Sequence, residues 1–322
     1  MRSTPKGSHN TARGFRTLGK EERGRRRTLK GFHNATFGGD RRSNGGDPMR
    51  HLLHTSVRWL LLGLLAFVAV PSRAEPTNAQ EAAAQKAAQE KAIDEKFQAW
   101  KATLPPEQQA WEKTLEECLG SFYLPLYKRS KVAGHVTAWD YVKDDPALPR
   151  VLLIGDSISR GYTLAVRAAL KGKANVHRAP ENCGGTRNGL KKLPVWLGAG
   201  KWDVIHFNFG IHDRKVPPEE YEKSLNTIAE QLAATGAKLI WASSTPLPAD
   251  GKDLDDRDMV AKNEIAAKVM KARGVPVNDL YTFIQPRLAE LQIPKDCHFN
   301  GKGYEVLGTR VAEQILAALP AK

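Results

Sequence analysis

Four short stretches of the 322-residue chain hold residues able to transfer an acyl group. "IGDSIS" carries Ser157, "ENCGGTRNG" carries Gly184, "GIHDRK" carries His212 and Asp213, and "KDCHFNGKGY" carries Asp296 and His298. Hydrolysing an ester needs a nucleophile, a base that takes its proton, and donors aimed at the oxyanion of the tetrahedral intermediate. Ser157 is the candidate nucleophile and His298 the candidate base. The backbone N–H groups of Ser157 and Gly184 are candidate oxyanion donors, the first at a helix N-terminus whose dipole favours negative charge. A serine entering a helix is equally a good N-cap, because its hydroxyl accepts a first-turn N–H. Asp156 and Asp213 read as scaffold carboxylates that cap turns.

Each stretch follows a candidate strand or precedes the last helix. The strands are Val151–Gly155, Asn175–Arg178, Val204–Asn208, Leu239–Ser243 and a short one at Val275–Val277. The third and fourth are nearly continuous apolar runs, as expected of parallel strands covered on both faces. Between them, Tyr221, Leu225, Ile228 and Leu232 line one amphipathic helix, and Val306, Leu307, Val311 and Ile315 line the last. Repeating β-α units predict a three-layer α/β/α sandwich with a central, mostly parallel five-stranded sheet over residues 149–322. In such a sheet ligands bind beyond the carboxyl ends of the strands, where these four stretches fall.

The order of these blocks resembles the SGNH/GDSL hydrolase superfamily over roughly residues 150–318. The resemblance implies a flavodoxin-like SGNH fold, Ser157 as nucleophile, His298 as base, and Ser157 and Gly184 in the oxyanion hole. Two positions depart from the family pattern. Gly210-Ile211-His212-Asp213 places His212 where the family has an asparagine in the oxyanion hole, and "FNFGIHDRK" is similar to a secreted bacterial subgroup with Gly-x-His-Asp. An imidazole N–H could donate there, with a charge that depends on pH. The last block usually reads Asp-x-x-His, but position 295 is Lys295 and Asp296 lies two before His298. Asp296 is either the third triad member or a turn cap.

The formal charge is +14, yet residues 1–48 carry twelve Lys/Arg against four Asp/Glu without apolar periodicity. They are expected to be a disordered basic extension. From Met49, read as the true start, two arginines precede the apolar run Trp59–Val70, and "PSRA" offers a cleavage site after Ala74, so 49–74 reads as a signal peptide. As a helix the run would span about 18 Å, short of the ~30 Å of a bilayer core, so a retained membrane anchor is the lesser reading. The chain after Ala74 keeps a net charge of only +3, leaving little basis for nucleic-acid binding. Residues 75–148 read as a helical preface and strap, or alternatively as a partner-binding arm.

Cys118, Cys183 and Cys297 match no zinc spacing, and no cofactor or metal is expected. A Cys183–Cys297 bridge is conceivable, though burial as small apolar residues is the plainer state. Trp196 and Trp202 read as packing residues, and the acidic run 248–258 as a helix N-terminus rather than a calcium loop. The resulting expectation is a secreted or periplasmic serine esterase acting on an acylated small molecule or polysaccharide, acetylated carbohydrate foremost by analogy with the subgroup. Alternatives are a lipase, lysophospholipase or thioesterase of the same fold, a catalytically inactive glycan-binding module, and a metal-dependent phosphoesterase using Asp156, His212, Asp213 and His298.

Overall fold

A computed structural model describes residues 77–248 and 255–319. The expectations for residues 1–48 and 49–74, cleavage after Ala74 included, and most of the acidic run lie outside the described residues. Three helices come first: α1 (Asn78–Ala102), α2 (Pro106–Cys118) and α3 (Gly120–Val132). Thr77 opens α1 with a capping box, its hydroxyl accepting from Gln80 N while the Gln80 side chain accepts from Thr77 N. Pro106 starts α2 at a position whose N–H has no helical partner in any case. The three helices bury Phe97, Leu115, Leu119 and Tyr127 together with Trp139. Within them Tyr127 Oη donates to the buried Glu112 at 2.7 Å. Within the stretch 75–148, read as helical preface and strap, Gly120–Val132 is α3, which continues through Pro125.

The α/β domain follows as β1 (Arg150–Ile154), α4 (Ser157–Ala169), β2 (Asn175–Arg178), α5 (Thr186–Leu197), β3 (Val204–Phe207), α6 (Pro218–Ala233), β4 (Lys238–Ala242), α7 (Asp256–Ala272) and β5 (Val277–Asn278). The short helices α8 (Leu280–Ile284) and α9 (Leu288–Leu291) lead to α10 (Gly301–Ala318). The five strands are all parallel, in the order β2-β1-β3-β4-β5. Alternation divides them between two cores. Leu152, Ile154, Ile205, Phe207, Leu239 and Trp241 meet α5, α6 and α7, whereas Val151, Leu153, Val176, Val204 and Ile240 meet α4, α8 and α10. Each fully buried aliphatic or aromatic side chain contributes about 1.5–3 kcal/mol, so this double burial is what fixes the layers. Trp196 and Trp202 are buried in the first core, as read.

α4 and α10 lie against each other along a seam of small residues. A Cβ at Gly308 would sit 2.5 Å from the Ala165 Cβ, and one at Gly161 would overlap the Tyr304 ring. The segment between α3 and β1 is fastened to the sheet edge. The half-buried Arg167 guanidinium donates to Val176, Thr137 and Asp140 carbonyls, and Asn175 Nδ2 donates to the carbonyls of Asp145 and Leu148.

Candidate active site

β1 is flanked by β2 on one side and β3 on the other, so the strand order reverses there and a crevice opens beyond its carboxyl end. The turn leaving β1 is capped by Asp156, whose Oδ1 accepts from Ile158 N at 2.9 Å. The cap is therefore Asp156, and the reading of Ser157 as N-cap is corrected. Ser157 is the first residue of α4, and its Oγ lies 2.7 Å from His298 Nε2. Its N–H is one of the first-turn donors for which a helix has no internal acceptor.

Beneath this turn lies a residue that sequence reasoning missed. Arg178, 1% exposed at the end of β2, donates to Ser159 Oγ at 2.5 Å and to the carbonyls of Gly155 and Asp156 at 3.0 Å each. The guanidinium braces both sides of the nucleophile turn. The available signal was an arginine closing a predicted strand of a sheet covered on both faces, a charge that burial makes costly unless it is hydrogen-bonded.

His298 stands just before α10, whose N-cap Asn300 accepts from Gly303 N. The preceding chain turns tightly: Asp296 N donates to Ile293 O, and Ile293 N donates to His298 O at 2.9 Å. Lys295 takes the left-handed conformation (φ 61°), and the carboxylate of Asp296 folds back onto the histidine. Asp296 Oδ1 accepts from His298 N at 3.0 Å and from the ring Nδ1 at 2.6 Å. Burial tends to raise the Asp296 pKa, but the bonds from the His298 amide and ring outweigh it and hold the carboxyl below its ordinary value. With Nδ1 donating to the carboxylate, the hydrogen-bond network assigns Nε2 as acceptor for the Ser157 hydroxyl. Sequence spacing that departs from Asp-x-x-His thus yields a Ser157–His298–Asp296 chain of contacts.

The glycine loop after β2 turns at Gly184, whose φ of +64° is in the region that glycine occupies without steric cost. Asp213 fixes the loop from below, accepting from Thr186 N at 2.9 Å and Thr186 Oγ1 at 2.8 Å. A side chain at Gly185 would have its Cβ 2.8 Å from Asp213 Oδ1. Burial raises the Asp213 pKa despite these bonds. His212 lies on the 3-10 turn Ile211–Asp213, exposed, and among the described residues its imidazole has no hydrogen-bond partner. A second unanticipated residue is Asn208, whose Nδ2 donates to Ala242 O at 2.8 Å and Ser244 Oγ at 3.2 Å, tying the ends of β3 and β4 together.

The three cysteines are unbridged. Burial pushes the Cys183 thiol up to about 12, and burial with the Asp296 charge does the same for Cys297, so neither competes as nucleophile. The donors of the metal-dependent reading are spent separately, Asp156 on the α4 cap and Asp213 on Thr186. The ligating atoms that do gather among the described residues are those of Asp296, Cys297 and His298. Asp255 caps α7 through Arg257 N, the role read for the acidic run.

Residues 153–306 match the GDSL-like lipase/acylhydrolase family. No curated protein matches the sequence significantly. Among solved structures the chain is similar to the lipase/acylhydrolase from Enterococcus faecalis (22% identity, TM-score 0.48, covering 54% of this chain and 98% of that one). It is also similar to an acetyl xylan esterase, AlAXEase (14%, 0.47, covering 52% and 99%). A third is Axe2, an acetylxylan esterase from Geobacillus stearothermophilus (18%, 0.43, covering 54% and 95%). The family match runs across the α/β domain from β1 into α10, so this domain is similar to the GDSL-like lipase/acylhydrolase family, whose chemistry is the hydrolysis of ester bonds.

Proposed function

We propose that the protein is an exported serine esterase that removes short acyl groups, acetyl foremost, from carbohydrate. The observation that carries the chemistry is the hydrogen-bonded line from Ser157 Oγ to His298 Nε2 (2.7 Å) and from His298 Nδ1 to Asp296 (2.6 Å). His298 takes the Ser157 proton as Oγ attacks the acyl carbon, and Asp296 stabilises the resulting imidazolium without itself being protonated. The backbone N–H groups of Ser157 and Gly184, with the free imidazole of His212, receive the oxyanion. His298 then returns the proton to the departing alcohol, leaving an acyl-serine. Water, deprotonated by the same nitrogen, attacks that ester, and the carboxylic acid leaves as Ser157 regains its proton.

The choice of carbohydrate rests on the resemblance of "FNFGIHDRK" to the secreted Gly-x-His-Asp subgroup. Export rests on the pattern of residues 49–74. Among the described residues no helix is long and apolar enough to cross a membrane. The test pairs fluorophosphonate labelling with acetate release from acetylated polysaccharides, run beside longer-chain nitrophenyl esters. Ser157 should label, and Ser157→Ala should abolish both labelling and turnover while melting like the wild type. A folded protein in which Ser157 never reacts sinks the serine-hydrolase mechanism; release confined to long-chain esters sinks the carbohydrate reading.

A further inference from the structure

Arg160 follows Ser157 by three residues on α4, so the two side chains share a helix face with Cβ atoms about 5–6 Å apart. Helical side chains lean towards the N-terminus, which brings the Arg160 stem towards the nucleophile turn. Its guanidinium lies over Tyr123 at 5.5 Å and Trp139 at 5.8 Å, rings supplied by the N-terminal helices and the strap. Arg150, Arg187, Arg257, Arg273 and Arg287 each pair with a carboxylate. Arg160 forms no ion pair among the described residues, and its Nε is a buried donor without a partner.

The surroundings deepen the anomaly. Arg178 flanks the same Trp139 ring at 5.9 Å, and its hydrogen bonds go to a hydroxyl and two carbonyls. Arg178 Nε and Trp139 Nε1 are further buried donors without partners, in residues 1% and 4% exposed. Two guanidiniums without a carboxylate and three orphaned N–H groups therefore cluster beside the nucleophile turn. Arg178 and Trp139 are sealed in, whereas Arg160 is only half-buried, so its unpaired charge is the one within reach of an acceptor from outside the chain. Next to it Phe122, 69% exposed, meets Tyr123 edge-on with centroids 4.8 Å apart, leaving a ring face open to solvent.

We propose that Arg160 is a specificity residue of the ester site, receiving a carboxylate on the alcohol half of the substrate, a uronic acid unit of an acylated polysaccharide, while Phe122 offers the stacking face for its sugar ring. The inference rests on the carbohydrate-esterase reading above. A planar guanidinium matches a carboxylate through two parallel hydrogen bonds, which a lysine cannot reproduce. The N-terminal helices thereby become part of substrate recognition, because they supply the rings that hold Arg160 in place.

The test measures acetate release from O-acetylated polygalacturonate and from the same polymer with its carboxylates methyl-esterified. The full chain is compared with R160Q, R160K and Phe122→Ala. The wild type should favour the acidic polymer. R160Q should lower that preference in kcat/KM by about tenfold or more, chiefly through KM, as expected for losing a charge-assisted pair. R160K, which keeps the charge and the stem over Tyr123, should lose part of it, and Phe122→Ala should raise KM for both polymers alike. Equal loss on both polymers in R160Q, or a wild type that favours the esterified form, overturns the inference and leaves the esterase reading intact. A wild type that cleaves nitrophenyl acetate but releases acetate from no polysaccharide overturns both.

Discussion

His206 lies in the middle of β3, fully buried, with Nε2 3.2 Å from Asn278 Nδ2 and Nδ1 without a partner. Burial pushes its pKa down to about 3 from the ordinary 6.5. Between those values the unfolded chain binds a proton that the folded chain does not, so stability falls as pH falls. The contribution is fully present above about pH 6.5 and is lost progressively towards pH 3. From pH 7 to pH 5 the loss amounts to about 2 kcal/mol, a drop of roughly 4–8 °C in Tm for a domain of this size. The raised carboxyls of Glu112 and Asp213 act in the opposite sense, because they bind a proton more readily folded than unfolded. A difference measurement removes them. Thermal melting of the wild type and of His206→Gln, which keeps an acceptor for Asn278, should give curves of Tm against pH that diverge between pH 7 and 5. If the variant loses as many degrees as the wild type, His206 is not the acid-sensitive group.

Three further predictions concern the site. Asp296→Asn should lower kcat by about a hundredfold or more, because His298 loses the carboxylate that stabilises its protonated form, with little change in KM; steady-state kinetics on nitrophenyl acetate would expose an unimpaired enzyme. His212→Asn should keep substantial activity while altering its dependence on pH, and an unchanged profile would remove His212 from the oxyanion hole. Gly185→Ala forces a Cβ to within 2.8 Å of Asp213 Oδ1, so the glycine loop must shift. It should cost about 1–3 kcal/mol and lower kcat on nitrophenyl acetate more than it raises KM; a variant with wild-type Tm and kcat would show that the loop is free to adjust.

The parts of the fold that were legible in sequence were those with a period. β2 was read to the residue, and three other strands to within one at each end; for β1, β3 and β4 the signal was a largely apolar run between turn residues. The short β5 was placed at 275–277 because Val275 and Val277 favour a strand, whereas the pairing falls at Val277 and Asn278. α3 escaped because Pro125 and the surrounding aromatics read as irregular chain, yet the proline is tolerated inside a helix held by Phe97, Leu115 and Trp139. In the site, Ser157, Asp296 and His298 were nameable from residue type alone. What could not be read was who holds them: the bracing by Arg178 and Asn208 depends on contacts across the sheet, and only the backbone decides that Asp156, read as a turn cap, takes the α4 N-cap in place of Ser157.

Ser157 opens α4 and His298 lies just ahead of α10, and the two helices press together at Gly161, Ala165 and Gly308. The separation between Ser157 and His298 is thus gauged by a close helix–helix contact as well as by the turn that bears His298. Loops other than the 293–299 turn and the glycine loop are accordingly free to diversify without altering that separation. The same arrangement exposes the chemistry to changes far outside the cleft, since a bulkier residue in that contact would spread the helices and lengthen the serine–histidine bond with every catalytic side chain still in place.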